Sequence, residues 1–451
     1  MIPLLLIIAA AAVLFYAVMF LLDIPGAWKF AIILLEMAAV SQILIRRYKM
    51  PSELGFVLVK SKRGIEFIES LAKNERLFNF MADTGVAMSY GLLSLGLMRK
   101  NVSPASMACG IIALFVVSLF VAPVALGFLM YTSGIGAGTK AGGAMTGMDY
   151  GIFFFAGMLL LGGLFLLIMF GIVFYGIVIF KALVATLVFG TDAIANTAPG
   201  GDILLPGVNQ PFVEGIVALA IVLIVHEGAH AILARIAKIP LLSSGIVFFG
   251  IIPIGAFVEP DERKLVKTEQ SRQTRVLVAG PTANMLTALG LFAVFLVFFF
   301  ATSAYREGVL IAASGLPTGT NIYSIDGQPS ESIDFSTFSL DPDKNVTLET
   351  NRGDIVRHTD EFGKLGIDFY IVSKDSFYSR YSNPALGFIH VMLGLALALN
   401  FVVGTVNILP IPLFDGYRIV DTNMKNKMVV KALSYGTLFF FILNFLPRLF
   451  Q

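Results

Sequence analysis

Charge, histidine and cysteine are all scarce in this chain, and each scarcity narrows what the chain can be. Charged residues make up 14% of its 451 positions and hydrophobic ones 57%. A soluble domain carries about 25% charged residues, so most of this chain is expected to meet lipid. The single cysteine, Cys109, excludes an intrachain disulfide framework and a Cys-based metal site. It lies in an apolar run, where packing is its expected role. The net charge of +2 decides little, because in a membrane chain the position of charge matters more than its sum. No nucleic-acid partner is expected. Residues 1–22 lack a basic leader and a small-residue cleavage site, and read as a retained first helix rather than a signal peptide.

Long apolar runs are what the chain has in quantity. Stretches able to cross about 30 Å of hydrocarbon lie at 2–22, 28–45, 106–131, 152–190, 212–237, 276–301, 385–406 and 430–447, with a weaker one at 81–98. The expected fold is a polytopic α-helical membrane protein of about eight transmembrane helices. The run at 152–190 is too long for one span and Lys181 is its only charge. It is either one tilted helix or two helices joined tightly.

Basic residues set the expected orientation. Eight Lys and Arg fall between 46 and 76, five between 259 and 275, and four between 416 and 431, so these segments should face the cytoplasm. The segment 191–211 has no Lys or Arg and suits the outer side. The one sizeable polar stretch, 303–383, alternates in the manner of strands between Gly, Pro and Asp turns, as in TNIYSIDGQP (320–329). It is expected to be a small β-rich domain outside the membrane. The expected division is an N-terminal transmembrane extension at 1–190 with a basic cytoplasmic loop at 46–80, core helices at 191–301, the β-rich insert at 303–383, and further core helices at 384–451.

Two of the four histidines stand in IVLIVHEGAHAILAR (221–235). His226 and His230 are four apart and share one helix face, so both imidazoles can reach one metal ion. Glu227 is turned about 100° round the helix, where it can take a proton from a water at that metal. An acidic residue at the centre of a span costs roughly 2.5–3.5 kcal/mol on insertion scales, and ionisable groups held at that depth are functional by default. Chance occurrence, or polar residues packed in a bundle, is the plainer alternative. A catalytic zinc needs a third protein ligand. His358 lies in the outer polar stretch, on the wrong side, and His390 near the outer end of its helix. Asp415, in NILPIPLFDG (407–416), follows Pro410 and Pro412, which forbid a continuing helix. Irregular backbone at membrane depth is tolerated where it lines an enclosed cavity. Alone, a solvated turn acid would be the favoured reading of Asp415; paired with the histidine motif, Asp415 as third ligand is the better one.

Together, H-E-x-x-H on a membrane helix and N-x-x-P-x-P-x-x-D-G far downstream resemble the site-2 proteases, a family of intramembrane zinc metalloproteases. AGPTAN (279–284), PGVNQP (206–211) and FFGIIPIGAFVEPDE (248–262) are similar to segments that flank the family's active site. The resemblance covers roughly residues 200–451; the first ~190 match only as a hydrophobic extension, such as some prokaryotic and archaeal members carry. It implies that His226, His230 and Asp415 hold Zn2+, that Glu227 is the general base, and that Asn407 hydrogen-bonds the substrate backbone. Asn284 either supports the site and its substrate or caps a helix junction. The resemblance also implies a membrane-associated β-loop at 241–258 and a PDZ-like identity for the insert.

The expected function is hydrolysis of peptide bonds inside transmembrane segments, known in the family as regulated intramembrane proteolysis. The implied partners are the lipid bilayer, single-span membrane protein substrates and an upstream site-1-type protease. The expected location is the cell membrane, with the active site towards the cytoplasm and the PDZ-like domain outside. Two rivals remain at this stage. One is a transporter using intramembrane His and Asp for ion or proton coupling. The other is a non-catalytic scaffold that binds membrane helices.

Overall fold

The computed structural model describes residues 2–22, 26–53, 55–133, 148–201, 204, 206, 210–316, 320–333, 338–350 and 353–450. Residues 207–209 of the PGVNQP segment, and 317–319 and 351–352 of the polar stretch, lie outside the described residues.

The first apolar run forms α1 (Ile2–Tyr16), continued by a π-turn at Ala17–Leu21, and the second forms α2 (Gly26–Tyr48). Arg46 and Arg47 close α2, where positive charge complements the carbonyl end of the helix dipole. The segment expected as a basic loop at 46–80 carries β1 (Ser52–Glu53), β2 (Phe56–Lys60) and α3 (Lys62–Ala72), and enters α4 (Glu75–Tyr90). Then come α5 (Leu93–Leu97), α6 (Pro104–Val116) and α7 (Ala122–Ser133), the last two bridged by a π-turn at Val117–Val121. α6 starts on a reciprocal cap between Ser103 and Ser106 with Pro104 in its first turn. Cys109, expected to pack, is exposed on α6.

The long run becomes α8 (Met148–Phe189), broken at Gly163, whose φ of 61° and ψ of −154° are non-helical. It is two helices joined at a kink. Only glycine suits the position: a Cβ there would lie 2.5 Å from the Met88 carbonyl oxygen, at the end of α4.

α9 (Phe212–Ile236) carries the H-E-x-x-H residues. The antiparallel hairpin β3 (Leu241–Phe249) and β4 (Ile252–Pro260) follows, turning at Gly250. The N-terminal extension joins it: β2 pairs with β3, Val57 opposite Phe248 and Lys60 opposite Gly245, giving a four-stranded sheet ordered β1-β2-β3-β4. β4 packs along α9, with Gly255 against Leu223, one turn before His226. After the short α10 (Glu262–Leu265) comes α11 (Gln270–Ala301), with Pro281 inside it.

The polar stretch is β-rich. It holds β5 (Arg306–Glu307), β6 (Val309–Ser314), β7 (Asn321–Ile325), β8 (Gln328–Pro329), β9 (Asn345–Thr350), β10 (Gly353–His358), β11 (Asp368–Val372) and β12 (Arg380–Tyr381). One sheet runs β10-β9-β7-β6-β11, with β8 beside β7, and β12 pairs with β5 to tie the two ends of the insert together. Leu310, Ile322, Ile325, Val346 and Leu348 give it a core of its own. The chain closes with α12 (Pro384–Val406), α13 (Asp415–Asn423) and α14 (Lys427–Leu443).

Among the described residues, six helices are long and apolar enough to cross a membrane: those at 28–48, 104–129, 154–189, 212–236, 270–301 and 384–406. This is a polytopic helical membrane protein with a separate β-rich region. The expected count of about eight rested on apolar length alone. The run at 2–22 yields the 15-residue α1 with its π-turn continuation and that at 430–447 the 17-residue α14, and neither is among those six. The weak run at 81–98 becomes the end of α4 and all of α5. Its Val86, Ala87, Met88 and Tyr90 are buried among α6, α8 and α11 rather than facing lipid.

Candidate metal centre

α9, α11 and α12 pack against one another, and the residues singled out by the two motifs meet at their junction. His226 and His230 project from one face of α9 because they are one turn apart. Asp415 arrives from the far end of the chain. α12 stops at Asn407, whose carbonyl accepts the Gly416 N–H at 2.7 Å and so closes the loop that Pro410 and Pro412 keep from being helical. Ile408, Leu409 and Ile411 anchor this loop by burial. Gly416 makes the closure possible, since a Cβ there would sit 2.0 Å from the Ile408 carbonyl oxygen. Leu413, between anchor and ligand, has φ of 83° and is fully exposed. That is a strained conformation of the sort that collects at functional loops. Asp415 then opens α13.

The result is a triangle of three ligand-type atoms. His226 Nε2 lies 3.1 Å from Asp415 Oδ2, His230 Nε2 lies 3.2 Å from the same oxygen, and the two Nε2 atoms are 3.2 Å apart. Ligands of a tetrahedral zinc, with bonds of about 2.0–2.1 Å, sit about 3.3–3.4 Å from one another. The donor set therefore has the size and the chemistry a zinc ion asks for. The backbone adds a second sign. His230 Nδ1 is 2.6 Å from the carbonyl oxygen of Val276, which can only accept, so Nδ1 carries a proton. In the neutral ring Nε2 is then a bare lone pair, facing a carboxylate oxygen that is also an acceptor. The pair holds at 3.2 Å with either a proton on Nε2 or a metal cation between the two atoms. Among the described residues, His226, His230 and Asp415 are the group able to share a metal ion.

Glu227 sits beside His226 on α9, half-buried. Asn284 is fully buried, its amide 3.1 Å from His226 Nδ1. Asn407 is half-buried at the end of α12. The other two histidines stay apart from the triangle. His358 is exposed on β10 and bonds Asn345 at 3.0 Å. His390 donates through Nε2 to the Phe377 carbonyl at 3.0 Å and is ringed by Phe128, Phe295, Phe298 and Tyr381.

Three neighbours of the site are not singled out by the sequence reading. One is the Val276 carbonyl, a backbone group that no motif marks. Pro281 has no N–H to donate and its ring crowds the preceding turn, next to that carbonyl. Gly280 is the second: a Cβ there would lie 2.4 Å from His230 Nε2 and 2.6 Å from His226 Nε2, so α11 can approach the imidazoles only without a side chain. The Gly of AGPTAN is the signal that could have found it. The third is Tyr90, buried at the end of α4, its hydroxyl without a partner among the described residues and within reach of the Asp415 charge. Nothing in the local sequence marks it.

A model of peptidase family M50, the site-2 protease family, matches residues 214–445. That span runs from the start of α9 to the end of α14 and includes both motifs and the β-rich insert. An uncharacterized protein of Methanocaldococcus jannaschii is 31% identical over 244 residues, 49% of this chain and 62% of that protein. The match thus spans less than two thirds of the relative's own length.

Proposed function

The chain belongs to peptidase family M50, and from that premise we propose that it is an intramembrane zinc metalloprotease that hydrolyses peptide bonds in transmembrane segments of substrate proteins. The observation that carries the reading is the triangle of His226, His230 and Asp415, whose three ligand-type atoms lie 3.1–3.2 Å from one another. In this reading those three side chains hold one zinc ion. When bound, the metal supplies Lewis-acid activation of a water and of the scissile carbonyl. Glu227 accepts the proton of the attacking water as its oxygen bonds to the carbonyl carbon, then delivers it to the amide nitrogen as the C–N bond breaks. Asn407, where α12 ends, holds the backbone of the unwound substrate through hydrogen bonds.

Peptide bonds in a helix are shielded until the backbone is extended, so the substrate must add as a strand. β4 suits this role. Among the described residues it has a sheet neighbour on one side alone, and it runs beside α9 just before His226. On this account the substrates are single-span membrane proteins, trimmed beforehand by a site-1-type protease, and the process is regulated intramembrane proteolysis. The basic segments around α3, α10 and α13 support an active site towards the cytoplasm, with a PDZ-like insert outside that filters access.

Metal analysis of the purified chain tests the reading. One tightly held zinc per chain is expected, lost in His226→Ala and in Asp415→Ala. A chain that carries no stoichiometric zinc, or keeps it in both variants, would leave a transporter with intramembrane His and Asp as the better account.

A further inference from the structure

A zinc-binding imidazole must present a lone pair to the metal, so its other nitrogen must carry the proton, and that proton needs an acceptor. For His230 the acceptor is the Val276 carbonyl, at 2.6 Å from Nδ1. For His226 the atom opposite Nδ1 belongs to Asn284, at 3.1 Å. Oriented with Nδ2 towards the ring, Asn284 is a donor. Nδ1 would then be the acceptor, and the neutral ring would carry its proton on Nε2, pointing at Asp415 and His230. That tautomer cannot bind a metal through Nε2.

An amide's oxygen and nitrogen exchange places on a half-turn about the last torsion, and only the hydrogen-bond network tells them apart. The half-turn brings Oδ1 to face Nδ1, where it accepts the ring N–H and frees the Nε2 lone pair. The surroundings fix where the amide sits. Gly404 of α12 packs on the Asn284 Cβ, and Gly280, one turn before, leaves space for both imidazoles.

We propose that Asn284 is a positioning residue that works through its amide oxygen: it accepts the Nδ1 proton of His226 and so fixes the tautomer that lets Nε2 bind zinc. This rests on the metal reading above, and it gives Asn284 a role in metal binding rather than a contact with substrate. The two α9 histidines are thereby held by different kinds of acceptor, both supplied by α11, a side chain for one and a backbone carbonyl for the other.

The test is metal affinity, not activity. The full chain is stripped of metal and titrated with Zn2+, and with Co2+ to read the visible absorption of a tetrahedral site, for wild type, Asn284→Asp, Asn284→Leu and Asn284→Ala. A carboxylate can only accept, so Asn284→Asp should keep the affinity within a few-fold and preserve the Co2+ spectrum. Asn284→Leu and Asn284→Ala should bind about 10–100-fold more weakly. Wild-type affinity in the Leu and Ala variants would overturn the proposal, as would a loss in Asn284→Asp as large as in those two. If Asn284→Leu does not fold, the Asp and Ala pair decides alone. Failure of the underlying reading looks different, for then wild type itself takes up no stoichiometric metal.

Discussion

Around Gly280 the helices α9 and α11 approach so closely that no side chain fits between them, and Gly404 brings α12 close to Asn284, though less tightly. The N-terminal extension holds to that core by other means. It adds β2 to the edge of β3, buries the end of α4 against α11, and clamps Asp83 to Arg275 through two 2.8 Å contacts. Arg235 to Glu69, at 2.7 Å, ties α9 to α3 in the same way. The core is thus assembled by steric fit around three ligand atoms, and the extension by strand pairing, buried area and ion pairs. Each region should therefore be vulnerable in its own way. A single methyl group can disable the core, whereas the extension should lose stability in increments while the metal stays.

Gly280→Val is expected to have the largest effect. Its side chain would enter the space of both imidazoles and lower zinc affinity by more than about 100-fold, read by metal titration. Gly290→Val, on the same helix with nothing within 4 Å of its Cβ, should bind as wild type. Next comes Val57→Asp in β2. Val57 is 1% exposed and packs with Ala11, Val40 and Leu44, so an acid there should cost about 3 kcal/mol or more. Thermal unfolding in detergent would register it, with zinc content unchanged in the surviving folded fraction. Asp83→Asn should cost about 1–3 kcal/mol by leaving Arg275 half-buried without its carboxylate. Its melting point should fall and its zinc content should not. His358→Ala and His390→Leu should leave one zinc per chain, because neither side chain reaches the triangle. A metal loss in Asp83→Asn would erase the contrast between the two regions.

The site was more legible than the fold. H-E-x-x-H fixes its own geometry through helix periodicity, and two prolines mark a loop that must break α12 and deliver Asp415. Apolar length marked the six helices long enough to cross a membrane, and it left 81–98 as a weak run. It cannot tell α4, whose apolar face meets other helices, from a helix that meets lipid. Nor does it tell which side chains of a helix are covered: Cys109, expected to pack, is exposed on α6. Pairing of β2 with β3 joins residues nearly 190 positions apart, and no local pattern announces it. Val276 and Tyr90 were hidden for a related reason. One acts through backbone, and the other owes its place to the kink at Gly163 against the end of α4.

Cleavage of a single-span membrane substrate in reconstituted vesicles, by wild type and by Glu227→Gln matched for zinc content, decides whether the chain is a protease with Glu227 as its base. The account predicts product from wild type and a rate at least about 100-fold lower from Glu227→Gln, with zinc retained in both. Cutting by zinc-loaded Glu227→Gln at the wild-type rate would contradict it.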